Sequence, residues 1–292
     1  MRRIGRRMRQ RGLSWTRPLR RLSARRYARL VDYHIHTHLC GHAVGEPTDY
    51  VRSALALGLP EIGFSDHMPL LRRRDERLTM APEELPIYVD LVRDVQSSVD
   101  GLRIRLGIEM DYLPGQMDEI HAKAEAYDFD YVIGSVHSLE GWDLSDSRFL
   151  NSWRGKDPDE VFPRYFEAFI EAVEEGGFDF MAHPDLVKKH GILPRRPMTR
   201  WYEQAAETLA ANDVAIEINT SGIRKRIVEP YPTLAFLTAC AGAGVAVTLG
   251  SDAHAPGQGG MDFDVALRLL SRAGIRSIAT FEGRRRGSRV LP

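Results

Sequence analysis

The feature that most restricts this chain is a repeating alternation. Short apolar runs recur about seven times between longer amphipathic segments, and nearly every run ends in histidine, aspartate or glutamate. The runs at 31–36, 61–65, 104–109, 131–135, 178–182, 214–219 and 245–250 read as strands. Stretches such as 82–99, 116–126, 158–175, 198–211 and 231–243 read as helices. Helix starts are marked by Thr79 ahead of Ala81-Pro82-Glu83-Glu84 and by Asp157-Pro158-Asp159-Glu160; Gly58, Gly176, Gly177 and Gly244 mark helix ends. Such alternation implies parallel strands with right-handed crossovers, in an open doubly wound sheet or a closed barrel. An open sheet feeds its site only from strands beside the switch point, whereas all strands of a barrel open on one mouth. Polar residues at successive strand ends therefore predict an α/β barrel.

Those strand-end residues are of one chemical kind. His34 and His36 are two apart on a strand and share a face. Asp66 and His67 follow the second strand. Glu109 ends the third, where a buried carboxylate is costly unless paired or bound to a cation. A carboxylate can hold two metals, one on each oxygen, which makes Glu109 the natural bridge. His137 and His183 follow the fourth and fifth strands, and Asp252 and His254 close the series, again two apart. Asp252 suits a ligand that also takes a proton from bound water.

Only 10 of the 292 residues are histidine, so six of them at strand ends is not a chance pattern. Imidazole and carboxylate without thiolate suit divalent Zn, Mn or Fe. Four histidines fall within residues 34–42. Of the two in the loop, His42 stands beside the set, and His38 is left out because it has no matching partner elsewhere.

Charge and composition narrow the class further. The chain carries 40 basic and 40 acidic residues, but residues 1–30 are Arg-rich and contain no acid, so the remainder is net acidic. An acidic body argues against nucleic acid as the main partner and suits cation binding. The basic segment 1–30 is expected to be a disordered extension, and one domain to span 31–292. No apolar run is long enough for a membrane helix, and two cysteines, Cys40 and Cys240, favour a reducing, cytoplasmic setting over a disulfide framework.

With these residues in place, the segments DYHIHTH…GH, SDH, GIE, SVH, AHPD and GSDAH resemble the motifs of the PHP phosphoesterases, from about Asp32 to the C-terminus. The resemblance implies a distorted (β/α)7 TIM-like barrel holding three divalent metals. It implies His34, His36, Glu109 and Asp252 at the first metal, Glu109, His137 and His183 at the second, and His42, His67 and His254 at the third. The segments FSDHMPL, LTMAPEELP, SVHSLEGWDLSD, HPDLVKKHG, EINTSGIRK and SIATFEGRRR are similar to the monofunctional histidinol-phosphate phosphatases of histidine biosynthesis. That likeness implies Lys188 and Arg224 as contacts to the substrate phosphate.

The implied reaction is hydrolysis of a small phosphate monoester, L-histidinol phosphate, by metal-activated hydroxide attacking phosphorus at the trinuclear site. Besides Glu109 and Asp252 as catalytic ligands, Asp66, His254 or a metal-bound water remain open as the source of the leaving-group proton. Two other readings share the metals: a phosphatase or phosphodiesterase on another small substrate such as a nucleotide, and a metal-binding module attached to a nucleic-acid enzyme. The segment 139–146 is the feature that separates the first pair. The acidic body and the lack of any polymerase-like domain count against the last.

Overall fold

A computed structural model describes residues 27–72 and 75–291. All seven expected strands are present: β1 (Asp32–Ile35), β2 (Glu61–Phe64), β3 (Arg103–Asp111), β4 (Tyr131–Ser135), β7 (Phe180–Met181), β8 (Ala215–Asn219) and β9 (Val247–Gly250). They form one sheet in the order β1-β2-β3-β4-β7-β8-β9, every neighbouring pair parallel. Just beyond β9 the chain meets β1: His36 N donates to Ala253 O at 2.9 Å, and Ala253 N to His34 O at 3.2 Å. This contact brings the two ends of the sheet together, so the architecture is the expected α/β barrel.

The crossovers are α1 (Pro47–Leu57), α2 (Leu85–Ser98), α3 (Met117–Ala124), α4 (Pro158–Glu175), α5 (Thr199–Ala211) and α6 (Leu234–Gly242), and α7 (Phe263–Arg272) follows the last barrel strand. Helix α4 shows why its start was legible: the Asp157 side chain accepts from Asp159 N at 3.0 Å and Pro158 takes the first helical position. Helix α7 has no such signal. Asp262, which precedes it, lies in left-handed backbone at φ 62° and makes no side-chain cap. No helix among the described residues is long and apolar enough to cross a membrane.

Two small hairpins were not anticipated. One, β5 (Ser138–Leu139) with β6 (Trp142–Asp143), rises from the mouth side of the barrel after β4. The other, β10 (Ser277–Glu282) with β11 (Arg285–Val290), closes the opposite end. Its contacts fall at the starts of the barrel strands: Arg289 on Glu61 at 2.5 Å, Arg284 on Asp179 at 2.5 Å, and Arg284 N on Asp130 O at 2.8 Å. Phe281 enters the barrel and packs on Phe180, Tyr33 and Tyr131, with ring centroids 5.3, 5.9 and 6.2 Å away. Gly63 and Gly107 make room for the Tyr131 ring, since a Cβ on either would fall 2.1–2.3 Å from it.

Leu30 is fully buried and Tyr27 packs edge-on against Phe263 at 6.4 Å, so packed structure begins before residue 31. The rest of the Arg-rich segment, residues 1–26, lies outside the described residues.

Candidate metal centre

The C-terminal ends of the barrel strands converge, as their sequence positions required, and Glu109 stands at the middle. Its Oε2 faces His67 Nδ1 at 2.9 Å, His34 Nε2 at 3.3 Å and His36 Nε2 at 3.7 Å. Its Oε1 faces His183 Nε2 at 3.1 Å and His137 Nε2 at 3.7 Å. Five imidazoles thus surround one buried carboxylate, divided between its two oxygens. Asp252 Oδ1 adds to the first group, 3.5 Å from His36 Nε2 and 3.4 Å from His254 Nδ1.

The donor atoms fall into overlapping sets. Those of His34, His36 and Asp252 lie within 4.8 Å of one another, as do those of His34, Glu109 and His183, and those of His36, His67 and His254. His42 joins from the loop after β1, its ring stacked on His254 at 4.6 Å and on His67 at 5.5 Å. His38 is exposed on a short 3-10 turn (His38–Cys40), apart from the set. Both ring nitrogens of the fully buried His36, and Nδ1 of His183, have no hydrogen-bond partner among the described residues. Unpartnered buried imidazole nitrogens facing carboxylates fit divalent cations.

Electrostatics divide the donors. Burial alone would raise the Glu109 carboxyl, yet the adjacent His67 and His34 outweigh it and hold the group well below the usual carboxylate range. Asp252 is likewise held well below its ordinary value, with His34 and His36 opposing burial. Burial, reinforced by His67 and His36, pushes His42 down to about 4, and burial with His36 holds His254 well below an ordinary histidine. His34 and His36 go the other way: the facing carboxylates outweigh burial and raise both, so metal binding there would release protons.

Two donors also sit in strained backbone. His183 and Asp252 take positive φ, 24° and 52°, where a non-glycine residue costs about 1–3 kcal/mol. Asp252 is steadied by Ser221 Oγ, which donates to its Oδ2 at 2.8 Å.

The outer residues sort differently from expectation. Arg224 lines the mouth, donating from Nη2 to Ser251 O at 2.6 Å, while its buried Nη1 has no partner among the described residues. Lys188 does not face the mouth. It is 1% exposed, paired with Asp185 at 3.0 Å and bonded to Pro230 O at 2.9 Å, because the short 3-10 turn Leu186–Lys188 directs it into the wall. Its neighbour Lys189 lines the cavity instead, and burial, with help from Lys225, pushes that ammonium down to about 8. Asp66 is also displaced from its expected role. It is fully buried, 3.5 Å from His36 Nδ1, accepts from Thr37 N at 2.7 Å and does not line the cavity.

Two carboxylates were given no role by the sequence reading. Glu217 in β8 is fully buried against His34, and Asp111 holds His137 Nδ1 at 2.5 Å, which outweighs burial and raises that histidine to about 9. The signal for Glu217 was present: a charge inside the apolar run AIEIN carries the same burial penalty that singled out Glu109. Most of the donors line a cavity of about 890 Å³ whose wall also includes Lys189, Arg224, Lys225, Glu140, Glu167 and Glu171.

A parallel-stranded barrel whose strand ends gather imidazoles and carboxylates beneath an open cavity defines a metal-binding barrel protein of the hydrolytic type. The chain belongs to the PHP domain family, which matches residues 32–221. It is 37% identical over 257 residues to a "Probable histidinol-phosphatase" of Deinococcus radiodurans, covering 88% of this chain and 98% of that one. A "Histidinol-phosphatase" of Lactococcus lactis subsp. lactis is 26% identical over 262 residues, covering 87% and 94%. Among solved structures, the histidinol phosphate phosphatase of L. lactis, crystallised with zinc, L-histidinol and phosphate, superposes with a TM-score of 0.76 at 24% identity, covering 89% of this chain and 99% of that chain. A putative histidinol phosphatase of Listeria monocytogenes gives 0.73 at 22% identity, covering 80% and 99%. These two likenesses support the barrel fold.

Proposed function

We propose that this chain hydrolyses L-histidinol phosphate to L-histidinol and phosphate, the phosphatase step of histidine biosynthesis. The observation that carries the reading is the 37% identity, over nearly the whole length, to a relative named for that activity. The cavity agrees with it. Arg224, Lys189 and Lys225 suit a phosphate dianion, and the carboxylates Glu167 and Glu171 on α4 suit the cationic organic part.

In this reading three divalent cations are held by His34, His36, Glu109 and Asp252, by Glu109, His137 and His183, and by His42, His67 and His254. Such cations supply Lewis acidity and a nucleophile at neutral pH. The protein's own groups do the rest. Glu109 keeps its charge between two histidine groups and offsets that of the cations. Asp252, ionised and steadied by Ser221, takes a proton from the attacking water at Oδ1. Arg224 offers Nη1 to a non-bridging phosphate oxygen, and Lys189 offers a second positive charge, both worth most as charge spreads over the transferring group. Asp66 orients His36 from behind.

Phosphate release from a panel of histidinol phosphate, nucleoside monophosphates and sugar phosphates tests the substrate. The expected result is a kcat/KM for histidinol phosphate at least tenfold above the others, about 1.4 kcal/mol of preferential transition-state binding. Equal values across the panel would overturn the substrate and leave a general phosphatase.

A further inference from the structure

Glu217 is fully buried, and among the described residues no arginine or lysine pairs with it. Its two oxygens are divided among parts of the metal centre. Oε1 lies 2.9 Å from His34 Nδ1, while Oε2 accepts the backbone N–H of His183 at 2.9 Å and Asn219 Nδ2 at 2.9 Å. Asn219 Nδ2 also approaches Asp252 Oδ2 at 3.4 Å. The adjacent strand is cut away to admit the carboxylate: a Cβ on Gly250 would stand 1.7 Å from Glu217 Oε1 and 2.6 Å from His34 Cβ.

We infer that Glu217 is a positioning residue that sets two of the metal sites at once, one through the His34 ring and the other through the His183 backbone. With a carboxylate on Nδ1, His34 carries its proton there, and Nε2 is left bare facing the centre, where it already lies 3.3 Å from Glu109 Oε2. His183 holds an uncommon φ of 24°, and its N–H donates to a charged oxygen, a stronger bond than one to a neutral acceptor. That bond fixes the direction of His183 Nε2 toward the other oxygen of Glu109, 3.1 Å away. A lone buried anion is costly, and cations gathered by His34 and His183 would offset it. Glu217 therefore also adds negative charge to the centre without occupying a coordination position.

The inference rests on the metal-centre reading and not on the substrate. Zinc titration of the full chain by calorimetry, with metal content after dialysis, reads it directly. Glu217→Gln is expected to weaken zinc binding about 10–100-fold, the range for groups that orient metal ligands. Gly250→Ala, which keeps the charge but displaces the carboxylate, is expected to weaken it in the same direction. A purely structural role would lower the melting temperature of the metal-free chain and leave zinc affinity in the folded protein unchanged, and that outcome overturns the inference. Because either variant could fail to fold, the unaltered zinc-loaded protein provides a further measurement. Long-range ¹H–¹⁵N correlation is expected to show His34 protonated at Nδ1, and protonation at Nε2 would overturn the assignment. A chain that binds zinc in this way yet ignores histidinol phosphate would sink the proposed substrate and leave the role of Glu217 standing.

Discussion

Nδ1 of His67 lies 2.9 Å from Oε2 of Glu109, and the backbones of the two residues are joined by a parallel bridge. The contact places a strand-end carboxylate within reach of a histidine from the neighbouring strand, while its other oxygen points to His183 and His137. Glu109→Gln keeps the shape but removes the charge from between the two groups. Its expected effect is loss of bound metal and a fall in kcat/KM of roughly a thousandfold, from losing about 4 kcal/mol of charge stabilisation. Metal analysis beside steady-state phosphate release checks it. Full metal content with full activity would remove Glu109 from the bridging position.

Adjacent lysines should behave in opposite ways. Lys189 lines the cavity with an ammonium lowered to about 8, so it is charged below that pH and loses its attraction for phosphate above it. KM for a phosphomonoester should therefore climb as pH rises through about 8, and Lys189→Gln should raise KM at neutral pH while flattening that climb. Lys188 faces the wall and neutralises Asp185, and Lys188→Met strands a buried carboxylate. The expected cost is about 3–5 kcal/mol of stability. Denaturation curves and pH-dependent kinetics on the two variants separate the roles; a Lys188 variant with normal stability and a raised KM would reverse the assignment.

That pair also shows where sequence stops being informative. His34 and His36 were legible because a strand fixes the direction of alternate side chains, and Glu109 because burial of a charge demands a reason. Between Asp185 and Gly191 the chain makes a short 3-10 turn, whose periodicity does not say which lysine turns inward. Asp66 was read as a candidate proton source, but the Thr37 contact that helps bury it comes from another strand's end, which the sequence around Asp66 does not show. The β10–β11 hairpin escaped for a related reason. Its second strand, RRGSRV, is mostly exposed and lacks the apolar alternation that marks a half-buried strand.

The closed end of the barrel carries its own pH dependence. Burial would raise the Glu61 carboxyl, but hydrogen bonds from Tyr33, Arg105 and Arg289 outweigh it and hold it below the ordinary value. A lowered carboxyl stabilises the fold above its unfolded value, near 4.5, and that contribution is lost as pH falls through the folded value. The melting temperature should drop on acidification below about 4.5, and Glu61→Gln, costing about 2 kcal/mol at neutral pH, should shrink the drop. Thermal melts of both proteins across pH 3–7 measure it, and parallel curves would rule Glu61 out as the titrating group.

Stability and chemistry should be separable, because the aromatic plug and the metal donors occupy opposite ends of one barrel. Phe281 is 1% exposed and seals the floor against Phe180, Tyr33 and Tyr131, and the ring contacts of the donor histidines lie outside that cluster. Phe281→Ala leaves a cavity among Phe180, Tyr33 and Tyr131. Its expected cost is about 3–5 kcal/mol. Since the hairpin meets only the strand starts, molecules still folded at low temperature should bind metal with unchanged stoichiometry and turn over substrate at a near-normal rate. Urea denaturation, metal analysis and kinetics on the same preparation test both halves. A metal deficit in the folded fraction would mean that the floor of the barrel sets the geometry of its mouth through the strands between them.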